Sequence, residues 1–395
     1  MEDCYVNRRE PGQRQVYMDH AATTPTHPEV FAAMAPYFHE RFGNPSALYS
    51  IARESRKAVN EARGKVARAL GASPEEIFFT AGGTEADNWA VKGAAFAHRG
   101  EGDHIITTAI EHHAVLHPCE YLESQGFSVT YLPVDRFGRV DPGTFEDAIT
   151  DRTILASVMF ANNEIGTIEP VEELSGIAGE HGVLFHCDAV QVIGQCPIDV
   201  DALGVDLLSL SAHKFYGPKG IGALYIRDGV TIDSLLHGGA QERQQRAGTE
   251  NLPGIIGLGH AIERATADID GHTRFIRKMR DRLLRGIIDE VPESQQNGHP
   301  ELRLANNINL SFSGIDGEAL LLALDDEGIS ASTGSACSSG SEEPSHVLRA
   351  IGLPFMLARG SLRLTLGDAN SEEDIDYVLD TLPGLVKKLR SMAPR

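Results

Sequence analysis

The sequence predicts an α/β protein, with a large domain on a mostly parallel sheet and a smaller α+β domain. Apolar, β-branched runs alternate with helical stretches from about residue 75 to about residue 230. These runs are continuous rather than alternating in polarity, which marks strands covered by helices on both faces. After about residue 260 the alternation stops, and long helices flank isolated strands. A chain of 395 residues has room for roughly two or three such units.

The strand candidates are HIITTAI (104–110), SVTYLPV (128–134), TILASVMFAN (153–162), VLFHCDAV (183–190), LLSLSAHK (207–214) and IGALYIR (221–227). Capped helical segments lie between them, such as 142–150 and 171–181. Only FYGPKG (215–220) joins the last two strands. That is too short for a parallel crossover, so one antiparallel strand is expected in the sheet. A single charged helix is expected over 261–288, then a polar break, VPESQQNGHPELR (291–303). A strand (306–312), a helix (317–327), a Gly/Ser loop, the strand RLTLG (363–367) and an amphipathic helix (371–392) follow. The expected division is a large domain over 18–260 and a small one formed by 1–17 with 261–395. No internal repeat is visible, and TGSACSSGS (333–341) is the longest biased tract.

Acidic residues number 56 against 35 basic, a formal net charge of -21. That field repels phosphate backbones and anionic lipid, which argues against nucleic acid or a membrane surface as the main partner. Solubility alone accounts for such a charge; a basic partner protein would also be steered in. The N-terminal MEDCYVNRREPGQRQ lacks the apolar core of a signal peptide, and no run approaches the roughly 20 apolar residues of a membrane helix. Five cysteines, an odd number without C-x-x-C, suit a reducing cytoplasm with at most one thiol kept for chemistry.

Five segments carry chemistry. In SAHKFYGPKGIGA (211–223), Lys214 ends an apolar strand, where α/β sheets place ligands. A partly desolvated lysine there can form a Schiff base, although a surface lysine at a strand end reads the same way. GPKG lacks Walker A spacing and leads into a strand. In AGGTEADNWAVKGAA (81–95), Gly82, Gly83 and Thr84 open a helix whose free N–H groups suit a phosphate. Thr84 with Asp87 also resembles a plain capping box. In HCDAVQ (186–191), Asp188 ends a buried strand and calls for a cationic partner: a protonated pyridine nitrogen, or an ordinary cap or salt bridge. In EHHAVLHPCE (111–120), His113, His117 and Cys119 raise a zinc site, but no second ligand cluster completes it, so no metal is expected. One histidine packed against a flat ligand is the preferred reading. In STGSACSSGSEEPSHVLRAIG (332–352), small residues surround Cys337 and leave it accessible, as a reactive thiol requires.

Jointly these segments resemble the cysteine desulfurases of the NifS/IscS type, within the fold-type-I pyridoxal-phosphate (PLP) enzymes of the aminotransferase class V family. The matching stretches are YMDHAATTP (17–25), GNPSALYS (43–50), GGTEADN (82–88), EHHAV (111–115), NNEIG (162–166), DAVQ (188–191), SAHKFYGPKG (211–220), RAGTEN (246–251) and GSACSSGSEEPSHVLRAIG (334–352). They span nearly the whole chain in family order, and their joint occurrence is specific. The long GSACSSG loop resembles the group with an extended, mobile cysteine loop at about 330–345.

The resemblance implies that the large domain binds PLP, with Lys214 as covalent anchor and carrier of the substrate Cα proton. It implies that Asp188 keeps the pyridine nitrogen protonated, His112 stacks on the ring, and Gln191 and Asn163 meet the O3′ side. Gly83, Thr84, Ser211 and His213 would hold the phosphate, with Thr249 reaching it from a second subunit of a homodimer. Arg363 would clamp the carboxylate of L-cysteine, the task guanidinium geometry suits. Cys337 would take the sulfur and pass it to an iron–sulfur scaffold protein or another acceptor, contacting a cluster at most during transfer. Tyr49 stands where the family pattern has histidine and Ala52 where it has glycine. LGDAN (366–370) replaces a basic residue after the L-G, and the N-terminal lead is longer. The rival readings are a selenocysteine lyase or another fold-type-I PLP lyase, and a non-catalytic sulfur-trafficking scaffold. The scaffold predicts loss of the lysine or the aspartate, and both are present.

Overall fold

The computed structural model describes residues 14–333 and 343–392. Its strands, numbered along the chain, are β1 (Val16–Tyr17), β2 (Ile77–Thr80), β3 (His104–Thr108), β4 (Ser128–Leu132), β5 (Thr153–Met159), β6 (Leu184–Asp188), β7 (Leu207–Ser211), β8 (Gly222–Ile226), β9 (Ser294–Gln296), β10 (Asn307–Phe312), β11 (Ile329–Ser330) and β12 (Ser361–Thr365). The central sheet has seven strands in the order β2-β8-β7-β6-β5-β3-β4. Strands β3 to β7 pair in parallel, and β8 is antiparallel to both β7 and β2. The α/β expectation therefore holds, including the antiparallel strand demanded by the short FYGPKG link.

Continuous apolar runs became strands because both faces are covered. Ile106, Val158, Phe185 and Leu208 pack with the helices Ser50–Leu70, Val171–Glu180 and Leu252–Ala265. Ile105, Leu155, Leu207 and Leu224 face the other way, against Gly83–Ala97 and His113–Ser124. A second core gathers Val16, Met18, Ile276, Leu283, Leu310, Leu362 and Val378 around the three-stranded antiparallel sheet β12-β10-β9. There β1 pairs in parallel with β11. Among the described residues no helix is long and apolar enough to cross a membrane.

Several expectations needed correction. The single helix over 261–288 is two, Leu252–Ala265 and Ile269–Glu290, because the Asp268 carboxylate accepts from Gly271 N at 2.9 Å and starts a new helix. The polar break at 291–303 contains β9, which owes its place to pairing with β10 rather than to its own apolar content. Strand β2 was not foreseen: four residues between a 3-10 turn and AGG are too few for a periodic signal, and pairing with β8 completes them. Strand β7 stops at Ser211, so Lys214 lies in a 3-10 turn, Ala212–Lys214, rather than in the strand.

A buried ion pair fixes one loop over this sheet. Glu242 accepts from Arg63 Nη1 and Nη2, each at 2.8 Å, and from Phe79 N at 3.0 Å. Glu242, Arg243 and Gln244 all have left-handed φ, of 45°, 57° and 69°, which side chains with a Cβ adopt at a cost. The Arg63–Glu242 pair holds that turn in place. Arg63→Met leaves Glu242 buried without its cation and is expected to destabilise the fold by about 3–5 kcal/mol, measured by chemical denaturation.

Candidate active site

Asp188 closes β6 and stands in register with Ser209 of β7. Beyond the end of β7, Lys214 Nζ donates to the carbonyls of Ala21 at 2.5 Å and Ala22 at 2.9 Å. Gln191 Nε2 shares the Ala21 carbonyl at 3.1 Å. The YMDHAATTP segment thus lies across the strand ends and ties Lys214 down. Burial pushes the Asp188 carboxyl up to about 6, opposed by a hydrogen bond from Val190 N at 2.9 Å and by the Lys214 charge. A buried acid facing a lysine attracts a further cationic group.

His112 caps the helix His113–Ser124, its Nδ1 accepting from Ala114 N at 3.1 Å. Burial, then the Lys214 charge, pushes its pKa down to about 4, which keeps the ring neutral. His213, with Nδ1 3.1 Å from Thr23 Oγ1, is pushed down to about 4 by burial and then by Lys214 and Lys219. Lys214 therefore acts electrostatically on Asp188, His112 and His213, which come from three different strand ends.

A cavity of about 660 Å³ opens beside this group, lined by Gly83, Thr84, Ser211 and His213 together with Thr23 and Lys219. It sits at the N-terminus of the helix Gly83–Ala97, where backbone dipoles favour an anion. Gly83 is needed for the close approach: a Cβ there would lie 2.7 Å from Val190 Cγ2. Glu85 points its charge into Arg246, accepting from Nε at 2.7 Å and Nη2 at 3.0 Å. An amine, a buried acid, a neutral aromatic ring and an anion cradle fit PLP, and Gly83 lets the helix start pack against Val190 and Ser211 without a clash.

Arg363 on β12 is buried; its Nη1 donates to the Asn163 carbonyl at 2.9 Å and its Nη2 to Asp19 Oδ1 at 2.7 Å, while Nε has no partner among the described residues. The structure thus joins Arg363 to Asn163 and, through Asp19, to the segment that holds Lys214. Thr249 is exposed and does not line the cavity. Cys337 lies outside the described residues.

Sequence reasoning missed Thr23, Lys219, Asp19 and the buried role of Asp87. The helix Gly83–Ala97 starts at Gly82 without a side-chain cap, so the capping-box reading of Thr84 with Asp87 fails. Asp87 instead faces the sheet, on the stripe of Ala86, Ala90 and Ala94; that spacing was the available signal. His113 stacks on His117 at 4.7 Å between centroids, while Cys119 points into the core. Of the departures, Tyr49 is exposed, Ala52 is fully buried, and Asp368 pairs with Arg264 at 2.9 Å.

Residues 16–378 match the aminotransferase class-V family. The chain is 60% identical over 394 residues to a cysteine desulfurase IscS of Methanosarcina thermophila, covering 100% of this chain and 97% of that one. It is 58% identical over 383 residues to a cysteine desulfurase IscS of Clostridium botulinum, covering 96% of each. Among solved structures, a NifS-like protein superposes with a TM-score of 0.90 at 40% identity, covering 95% of this chain and all of that one. SspA in complex with cysteine gives a TM-score of 0.79 at 40% identity, covering 89% of this chain and 99% of that one. The family is generally PLP-dependent. With the Lys214–Asp188 geometry and full-length identity in agreement, the chain belongs to the cysteine desulfurases of the aminotransferase class-V family.

Proposed function

We propose that this chain converts L-cysteine to L-alanine with PLP as cofactor and leaves the sulfur as a persulfide on Cys337. The observation that carries the reading is Lys214 held at the strand ends, its charge acting both on the buried Asp188 and on His213 of the anion cradle formed with Thr84 and Ser211. PLP, when bound, supplies the electron sink that stabilises negative charge at the substrate Cα. Lys214 would hold the cofactor covalently and carry the Cα proton. Asp188 would hold a proton at the ring nitrogen, and neutral His112 would cover one ring face. Gln191 and Asn163 would meet the O3′ side, Gly83 would give the phosphate its close approach, and Lys219 would add the cation that neutral His213 lacks. Arg363 would orient the substrate carboxylate, its Nε being unpaired among the described residues. The Cys337 thiolate would attack the substrate sulfur as the Cβ–S bond breaks; the bonding pair left on Cβ takes up a proton to give the methyl group of L-alanine, and the sulfur stays as Cys337–S–SH.

The wider reading follows from the same site. The two hydrophobic cores support a large domain over 18–260 and a small one of 1–17 with 261–395, although Met18 packs in the small core and Ala261 and Ile262 pack in the large one. Exposed Thr249, on the strained loop held by Arg63–Glu242, would complete the phosphate cradle of a second copy, which makes the enzyme a homodimer. An iron–sulfur scaffold or another sulfur-acceptor protein would receive the sulfur. The reducing cytoplasm is the compartment proposed, because the chemistry needs a reduced Cys337.

Lys214→Ala removes both anchor and proton carrier, and alanine release from L-cysteine is expected to fall by at least about a thousandfold with the fold retained. Release within a few-fold of wild type overturns the mechanism. Cys337→Ser keeps loop size but lacks a thiolate, so it is expected to bind cofactor and substrate yet form no persulfide on the peptide holding Ser335 to Cys337. Wild-type desulfuration by that variant, without added thiol, would point to a general lyase instead. Mixing Lys214→Ala with Thr249→Ala subunits is expected to give hybrids with one intact site and measurable activity. A monomer with full cofactor occupancy in solution rules the shared site out.

A further inference from the structure

Asp87 is a buried acid that the reaction above does not use. It lies one turn into the helix Gly83–Ala97, 1% exposed, on the face laid against the sheet. Beneath it, β6 presents His186 and Asp188 on one side, since residues two apart on a strand point the same way. The flanking strands place Ser157 opposite His186 and Ser209 opposite Asp188. His186 Nδ1 lies 2.8 Å from Ser157 Oγ and its Nε2 lies 2.9 Å from Ser209 Oγ, all fully buried. Asp87 Oδ1 stands 3.7 Å from His186 Nε2 and makes no hydrogen bond among the described residues.

Charge decides what Asp87 can be. The titratable groups about it are Asp188, Glu111, His186 and Cys187, with Lys214 acting on Asp188. Burial pushes the His186 pKa down to about 3, so that ring is neutral. Among the described residues no other cationic side chain pairs with Asp87. Two adjacent buried carboxylates repel each other, and a dry carboxylate without a cation is costly. Burial, then the Asp188 charge, pushes the Asp87 pKa well up, against a hydrogen bond from Ser209.

We infer that Asp87 is a positioning residue for the ring-nitrogen pocket: a neutral acid that fixes the His186–Ser209 wall and leaves Asp188 as the charge facing the ring. The inference rests on the reading of Asp188 given above. Dividing proton and charge between two neighbouring acids is how a site keeps one of them ionised. A stability consequence follows. The unfolded chain releases this proton near pH 3.8 whereas the folded chain keeps it, so Asp87 costs stability increasingly as pH rises above that value. Asp87→Asn needs no proton and is expected to raise Tm at pH 8.

Three measurements on the full chain test the inference. The infrared difference between wild type and Asp87→Asn at pH 8 is expected to show a carboxylic-acid C=O stretch in the wild type that the variant lacks. Trp89, the single tryptophan, sits two residues along the same helix, so its fluorescence can follow PLP binding to cofactor-stripped protein. Asp87→Asn is expected to bind PLP within about threefold of wild type, while Asp87→Ala and Ser209→Ala weaken binding at least about tenfold. Absence of the acid band overturns the inference, and so does an Ala variant that binds as tightly as wild type. If Asp87→Ala does not fold, Ser209→Ala carries the comparison. Asp188→Asn separates the two readings: unchanged PLP binding and an unchanged visible spectrum in that variant sink the reading of Asp188, whatever the Asp87 band shows.

Discussion

A carboxyl group buried at the end of a parallel strand calls for positive charge, and the Lys214 charge acts on Asp188 in that sense while burial still holds its carboxyl up. The coupling comes from strand order: β6 and β7 are neighbours, so the turn after β7 brings its lysine to the same strand ends as the acid that closes β6. The lysine then needs acceptors of its own, and the carbonyls of Ala21 and Ala22 provide them. Ala21 in turn donates to Thr365 Oγ1 at 2.9 Å, and Asp19 accepts from Arg363. One buried charge thereby links the central sheet, the N-terminal segment and the β12-β10-β9 sheet.

Rigidity around that link has visible costs. Gly83 gives up a side chain so that a helix can descend onto the strand ends, and three consecutive residues from Glu242 accept left-handed backbone. The first lies at the anion cradle, and the second is held over strand β2 by Arg63 and the Phe79 amide. The ion pairs Arg63–Glu242 and Arg246–Glu85 hold these segments, and Arg246 offsets the charge of Glu85, which lines the cavity. A second acid, Asp87, lies under the same helix turn, and the chemistry of the pocket depends on which of the two acids carries the charge.

The strong periodic signals were legible beforehand. Continuous apolar runs gave the parallel strands β3, β5, β6 and β7, and the six-residue FYGPKG link gave the antiparallel β8. Lys214, Asp188 and the Gly83–Thr84 turn were identifiable because each ends or opens an element where ligands gather. Strands of four residues or fewer, β1, β2, β9 and β11, were not identifiable, because so short a segment is defined by its pairing partner. The helix break at Asp268 was missed because charged periodicity continues across it, and only the cap bond interrupts it.

The sequence by itself determined the class of fold, the family and the chemical types at the site, since these follow from local pattern and from motifs in order. Only the tertiary structure decided which groups act on one another. Arg363 and Asp19 are 344 residues apart, and Lys214 and Ala21 are 193 apart. No local pattern encodes such contacts; they exist because two hydrophobic cores close around the strand ends. The same closure makes Asp87 a buried acid rather than a helix cap, because its side chain lies on the face that the sheet removes from water.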